Sequence, residues 1–150
     1  MKAEVLQRSS ILRYDGEYGS LSAFRLTAAP TVTDRETSDT RGKGELTFYK
    51  EGNLSLSYRE EESGLRVTLE KTGDRLTVTR GGAELSFLLG GTTAFSYCTA
   101  YGVLPTEAFT EQLTLQKKGA TALLTLVYTA VLGGMAQKNE LRFKITTNAR

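Results

Sequence analysis

From Gly44 onward, apolar side chains recur at every second position in short runs, and each run ends at a glycine-bearing turn. Leu46 and Phe48 alternate up to Glu51-Gly52-Asn53, after which Leu54, Leu56 and Tyr58 share one face. Charges fill the tip from Arg59 to Ser63, and Gly64 opens a return run with Leu65, Val67 and Leu69. Thr72-Gly73-Asp74 turns that run into Leu76 and Val78. Gly81-Gly82 is a two-residue hairpin signal, since both positions can take positive φ without steric cost, and Leu85, Phe87 and Leu89 answer across it. Gly90-Gly91 leads to Phe95, Tyr97 and Thr99, and longer runs follow at roughly 107–117, 121–132 and 139–147. The pattern predicts hairpins at 51–53, 61–64, 72–74, 81–82, 90–92 and 118–120. Period-two alternation between closely spaced turns predicts an all-β, antiparallel fold. Short hairpins in unbroken succession favour an up-and-down barrel, of about eight to nine strands, over a Greek-key sandwich.

The first 43 residues are patterned less clearly. Leu21 to Val32 has a β-like composition, with Phe24, Leu26 and Val32 at even spacing, and Pro30 suits an edge strand or a strand end. Thr33 to Lys43 is polar and runs into Arg41-Gly42-Lys43-Gly44, which predicts a mobile loop. Residues 2–14 fit neither helix nor strand period cleanly. The run Thr121 to Leu132 is apolar on both faces, with Leu124 and Leu126 on one and Val127 and Val131 on the other. Its outward face needs cover, either from residues 2–14 or from a second copy of the chain, so monomer and homodimer are both open.

Composition narrows the function classes. A chain of 150 residues is read as a single domain spanning 1–150, long enough to bury about 70% of its unfolded surface. Nineteen basic and 17 acidic residues are scattered rather than striped, which argues against nucleic acid as a partner. Cys98 is alone, so no intrachain disulfide forms and a reducing, cytoplasmic location is expected. Residues 1–13 lack a signal-peptide apolar core, and 121–132 is too short for a membrane helix, so no membrane is expected either.

The segment 44–147 also carries a constellation of short motifs. Tyr58 precedes acidic residues and Gly64, and Arg80-Gly81-Gly82 closes a hairpin. Tyr97-Cys98-Thr99-Ala100-Tyr101-Gly102 follows, then Leu126-Val127-Tyr128 and Asn139-Glu140-Leu141. Together these resemble the uncharacterised bacterial calycin-like β-barrel family designated domain of unknown function 1934. Ala100 stands where that family favours proline, and residues 1–43 match it poorly. The resemblance implies a lipocalin-like barrel in a small bacterial cytosolic protein, and it implies no activity.

The absence of histidine excludes His-dependent triads and His metal ligands. Cys98 lacks an imidazole partner and reads as a structural thiol. Glu60-Glu61-Glu62 reads as a solvated hairpin tip, and Asp34, Glu36 and Asp39 do not reproduce a calcium loop. No metal site, cofactor or catalysis is expected. The remaining candidates combine aromatic surface with polar tips: Tyr58, Arg80, Tyr97, Thr99 and Tyr128, with Tyr101 from the motif that follows Tyr97. An inward tyrosine supplies apolar area plus one hydroxyl, and an arginine near a barrel mouth can pair an anionic group. These residues predict non-catalytic binding of a small, partly apolar or anionic ligand inside the barrel. The alternative is a structural or protein-interaction module whose interior is filled by its own side chains.

Overall fold

The computed structural model describes residues 1–100 and 102–147, with the backbone alone at 98 and 99. The strands are β1 (Lys2–Tyr14), β2 (Val32–Phe48), β3 (Leu54–Glu60), β4 (Arg66–Thr72), β5 (Arg75–Arg80) and β6 (Ala83–Leu88). They continue as β7 (Thr92–Thr99), β8 (Gly102–Lys118), β9 (Thr121–Leu132) and β10 (Met135–Thr147), with one short helix α1 (Leu21–Arg25). All ten strands form one antiparallel sheet in the order β6-β5-β4-β3-β2-β1-β10-β9-β8-β7. The sheet curls into a nearly closed barrel, one or two strands richer than its alternation predicts. No helix among the described residues is long and apolar enough to cross a membrane.

Every predicted turn falls at a strand junction, but the one at 90–92 joins strands that share no ladder. β6 and β7 are the two free edges of the sheet, and they face each other across a seam. At one end the seam is stitched: the Thr93 hydroxyl donates to the Ser86 carbonyl, and Gly90 N–H donates to the Thr110 carbonyl at 2.9 Å. Among the described residues, the other end, near Ala83 and Tyr97, carries no such ladder.

The additional strands come from the N-terminal region. The expected mobile loop 33–43 lies within β2, which pairs with β1 from Tyr14↔Val32 to Lys2↔Glu45. Residues 2–14 form β1, a wall strand between β2 and β10, and so do not cover β9. The cover comes instead from part of the expected 21–32 strand. Ser20 caps a helix there, its hydroxyl accepting from Ala23 N–H at 3.1 Å, and Leu21 and Phe24 pack on Val131 and Ala136. Leu26 and Val32, which even spacing would have placed with Phe24, are exposed.

Two local devices shape the wall. A bulge at Glu111, where Thr110 faces Tyr128 but Gln112 faces Val127, moves the inward face of β8 from Thr106, Ala108 and Thr110 to Leu113 and Leu115. On β2, Gly42 and Gly44 let the strand pass so close to β3 that a Cβ at Gly44 would collide with the Ser57 carbonyl and the Tyr58 backbone.

Candidate functional site

The interior has two storeys. One end is filled by Leu46, Leu54, Leu56, Leu69, Leu76, Leu124 and Ile145, all almost fully buried. Toward the other end the inward positions turn polar, and a cavity of about 300 Å³ opens among them. Its floor and walls include Gln7 and Ser9 from β1, Ser38 and Thr40 from β2, Tyr128 from β9 and Asn139 from β10. Strand register sets these side chains in rows, Ser38–Ser9–Leu141 and Thr40–Gln7–Phe143.

Most of this polar lining is internally bonded. Gln7 Oε1 accepts from the Tyr58 hydroxyl at 3.3 Å and the Thr40 hydroxyl at 3.4 Å, while Gln7 Nε2 donates to Ser9 Oγ at 3.2 Å. Gln137 Nε2 donates to Asn139 Oδ1 at 3.2 Å, but the buried Asn139 Nδ2 has no partner among the described residues. An unmatched buried donor is costly, and this one belongs to a residue that lines the cavity.

At the rim, Glu60 is 3% exposed and is held by half-exposed Arg80, whose Nε and Nη2 donate to its two oxygens at 3.0 and 2.9 Å. Ser63 Oγ adds a third bond to Glu60 Oε1 at 2.6 Å. The sequence reading of a solvated acidic tip holds for Glu61 and Glu62, which are exposed, but not for Glu60. Alternation accounts for the difference, since Glu60 continues the inward series Leu54, Leu56, Tyr58. Arg80 likewise follows Leu76 and Val78 inward on β5 rather than standing as a solvated turn residue.

Arg80 hydrogen bonding holds the Glu60 carboxyl below the ordinary glutamate value of 4.5, against the opposing effect of burial. A lowered folded-state pKa stabilises the fold fully above that ordinary value, and the contribution disappears as pH falls through the folded one. Glu60→Gln should therefore flatten the loss of stability on acidification below about pH 4.5. Urea midpoints at pH 6 and pH 3.5 check this, and an unchanged pH slope in the variant would refute it. Burial raises both the Tyr58 and Tyr128 phenols, with the Glu60 charge adding to the shift at Tyr58, so both remain protonated hydrogen-bond donors at neutral pH.

The structure brings four of the sequence candidates to this chamber. Arg80, Tyr97 and Tyr128 line it, and Tyr58 lies buried beneath with its hydroxyl on Gln7. Tyr128 also packs against Phe87 with ring centroids 4.6 Å apart. Tyr97 is 41% exposed and stands at the open part of the seam, so it is a rim residue rather than core. Tyr101 and the side chains of Thr99 and Cys98 lie outside the described residues. Sequence reasoning missed Gln7, Ser9, Ser38, Thr40, Glu60 and Asn139, although Gln7/Ser9 and Ser38/Thr40 do show the spacing of two. The exposed carboxylates Asp34 and Glu36, which continue the Ser38 and Thr40 face of β2 beyond the cavity lining, pair with Arg13, and the outward Asp39 pairs with Arg8. Among the described residues, no group of three or more carboxylates, cysteines or histidines is placed to hold a metal ion.

Comparison with known proteins bears on the fold and family. The family model described as domain of unknown function (DUF1934) matches residues 27–143. The crystal structure of the ywiB protein from Bacillus subtilis is similar to this one, with a TM-score of 0.58 at 14% sequence identity, covering 99% of this chain and 94% of that one. No curated protein matches.

Proposed function

This chain belongs to the DUF1934 family, and from the geometry of its barrel we propose that it binds a small, partly apolar molecule in the polar upper storey without transforming it. The observation that supports this most directly is the chamber itself. It is about 300 Å³, at the lower edge of the usual range for small-molecule sites, and is lined by hydroxyl and amide groups beside aromatic rings. A scaffold with no ligand gains nothing from an interior that leaves a buried donor, Asn139 Nδ2, unmatched in a residue of the cavity wall. Catalysis has little support, because the chamber's carboxylate, Glu60, is already bonded to Arg80 and Ser63.

The interaction-module reading draws on the leucine-filled lower storey. Two measurements separate it from ligand binding. Native mass spectrometry of the protein from its own cells should show a retained small molecule, and a consistently bare mass would count against the chamber. Tyr97→Phe keeps the rim area and deletes only the hydroxyl. It should weaken binding of whatever molecule is retained while leaving the melting temperature of the empty protein close to wild type. An equal loss of stability with and without the molecule would make the hydroxyl a packing group.

A further inference from the structure

A second recess adjoins the chamber. This one, about 540 Å³, is walled mainly by Leu65, Ala83, Leu85 and the ring of Tyr97, with Gly81 and Gly82 at its edge. Arg80, Leu85 and Tyr97 border both spaces. The recess lies at the end of the β6–β7 seam where, among the described residues, no ladder closes the wall, so it stands as an apolar vestibule beside the polar chamber. Both are bordered by more hydrocarbon than polar surface, but the chamber adds the hydroxyl and amide groups of Gln7, Ser9, Ser38, Thr40 and Asn139, whereas the recess adds only Arg80, Tyr97 and glycine backbone.

Charge then restricts the polar end. Its two ionised groups, Glu60 and Arg80, are bonded to each other at 2.9 and 3.0 Å. An anionic group entering the chamber would meet an Arg80 whose charge is already matched by Glu60, and, although the guanidinium has further N–H groups to donate, it would lie beside that buried carboxylate and be repelled by it. A cationic group would have to displace Arg80. A neutral group disturbs neither. The buried donor Asn139 Nδ2, which has no partner among the described residues and belongs to a residue lining the chamber, calls for an acceptor such as a carbonyl oxygen.

We propose that the natural ligand is an amphipathic molecule with an uncharged, carbonyl-bearing head and an apolar tail. The head sits on Asn139, and the tail leaves through the β6–β7 seam past Leu85 and Tyr97. This rests on the chamber being a binding site and specifies the chemical class it takes.

Calorimetric titration of the whole chain with octanamide, octanoate, octylammonium and acetamide tests it. Octanamide should bind at least about tenfold more tightly than either charged chain, and acetamide, which lacks the tail, should bind at least about tenfold more weakly than octanamide. Asn139→Leu removes the donor and should lower octanamide affinity about tenfold while keeping the fold, as checked by its circular dichroism and melting temperature. Ala83→Trp fills the vestibule and should reduce octanamide to the affinity of acetamide. Equal affinity for all three heads, or a preference for octanoate, would overturn the neutral-head assignment and leave the chamber reading standing. Unchanged octanamide affinity in a folded Asn139→Leu protein would overturn the head position and point to a buried water on Nδ2. No binding of any probe would overturn the inference, and a bare native mass spectrum alongside it would overturn the chamber reading as well.

Discussion

Gly44→Ala is expected to destabilise the barrel by about 3 kcal/mol or more, a large effect for adding one methyl group. The cause is steric and not conformational. Gly44 is not among the glycines at positive φ, but its missing side chain points at the β3 backbone, the Ser57 carbonyl and the Tyr58 Cα. Backbone cannot rotate aside as a flexible side chain can, so β2 and β3 must separate along the Gly42↔Glu60 to Phe48↔Leu54 ladder. That movement would also loosen Tyr58, whose hydroxyl reaches Gln7 in the chamber floor. Gly119→Ala is the comparison. Gly119 has φ +60 with open space around it, so alanine there pays only the left-handed backbone cost of about 1–2 kcal/mol. Urea denaturation at constant m separates the two, and equal costs at both positions would refute the close-approach argument.

Tyr58→Ala and Tyr97→Ala should differ sharply. Tyr58 is 1% exposed and is continuous with the leucine core, so truncation should cost roughly 3–5 kcal/mol. Tyr97 is 41% exposed, and its truncation should cost less than about 2 kcal/mol. The sequence alone suggests a large penalty at Tyr97, because its alternation with Phe95 looks the same as that of Tyr58 with Leu56. Tyr58→Phe, which loses only the hydrogen bond to Gln7, should cost about 1 kcal/mol. Thermal melts of the three variants check the order, and a Tyr97→Ala penalty as large as that of Tyr58→Ala would place Tyr97 in the core after all.

The comparison shows where alternation carries information and where it fails. It works where one face of a strand is oil and the other is water, as along Leu54-Ser55-Leu56-Ser57-Tyr58. It fails along residues 38–45 of β2, where the outward Asp39, Arg41, Lys43 and Glu45 are charged and the inward residues are Ser38, Thr40, Gly42 and Gly44. The segment that resembled a mobile loop is chamber wall, and its lack of hydrophobic pattern is a direct result of lining a polar space. Glu60 was hidden for the related reason that two exposed glutamates follow it. α1 was missed because five residues are too few to show a helical period. Its signals were Ser20 as the cap and the 21/24 spacing of Leu21 and Phe24. The seam was invisible because Gly90-Gly91 resembles any other hairpin turn, and nothing in a local motif says whether the flanking strands pair.

The seam also divides the protein into two assembly units. Apart from the β1–β10 pairing, β1 to β6 pair only with sequence neighbours, as do β7 to β10, so each half can form from short-range contacts. The barrel exists only once β1 meets β10, from Ala3↔Thr147 to Arg13↔Gln137, and this most distant pairing should set the folding rate. The peptide link through 89–91 crosses a boundary that has no ladder, so cutting there would leave every strand pairing of the sheet intact. Ser38, Glu60 and Arg80 come from the first unit, whereas Tyr97, Tyr128 and Asn139 come from the second. A molecule seated among them would therefore bind only the joined barrel and would hold the two units together by mass action.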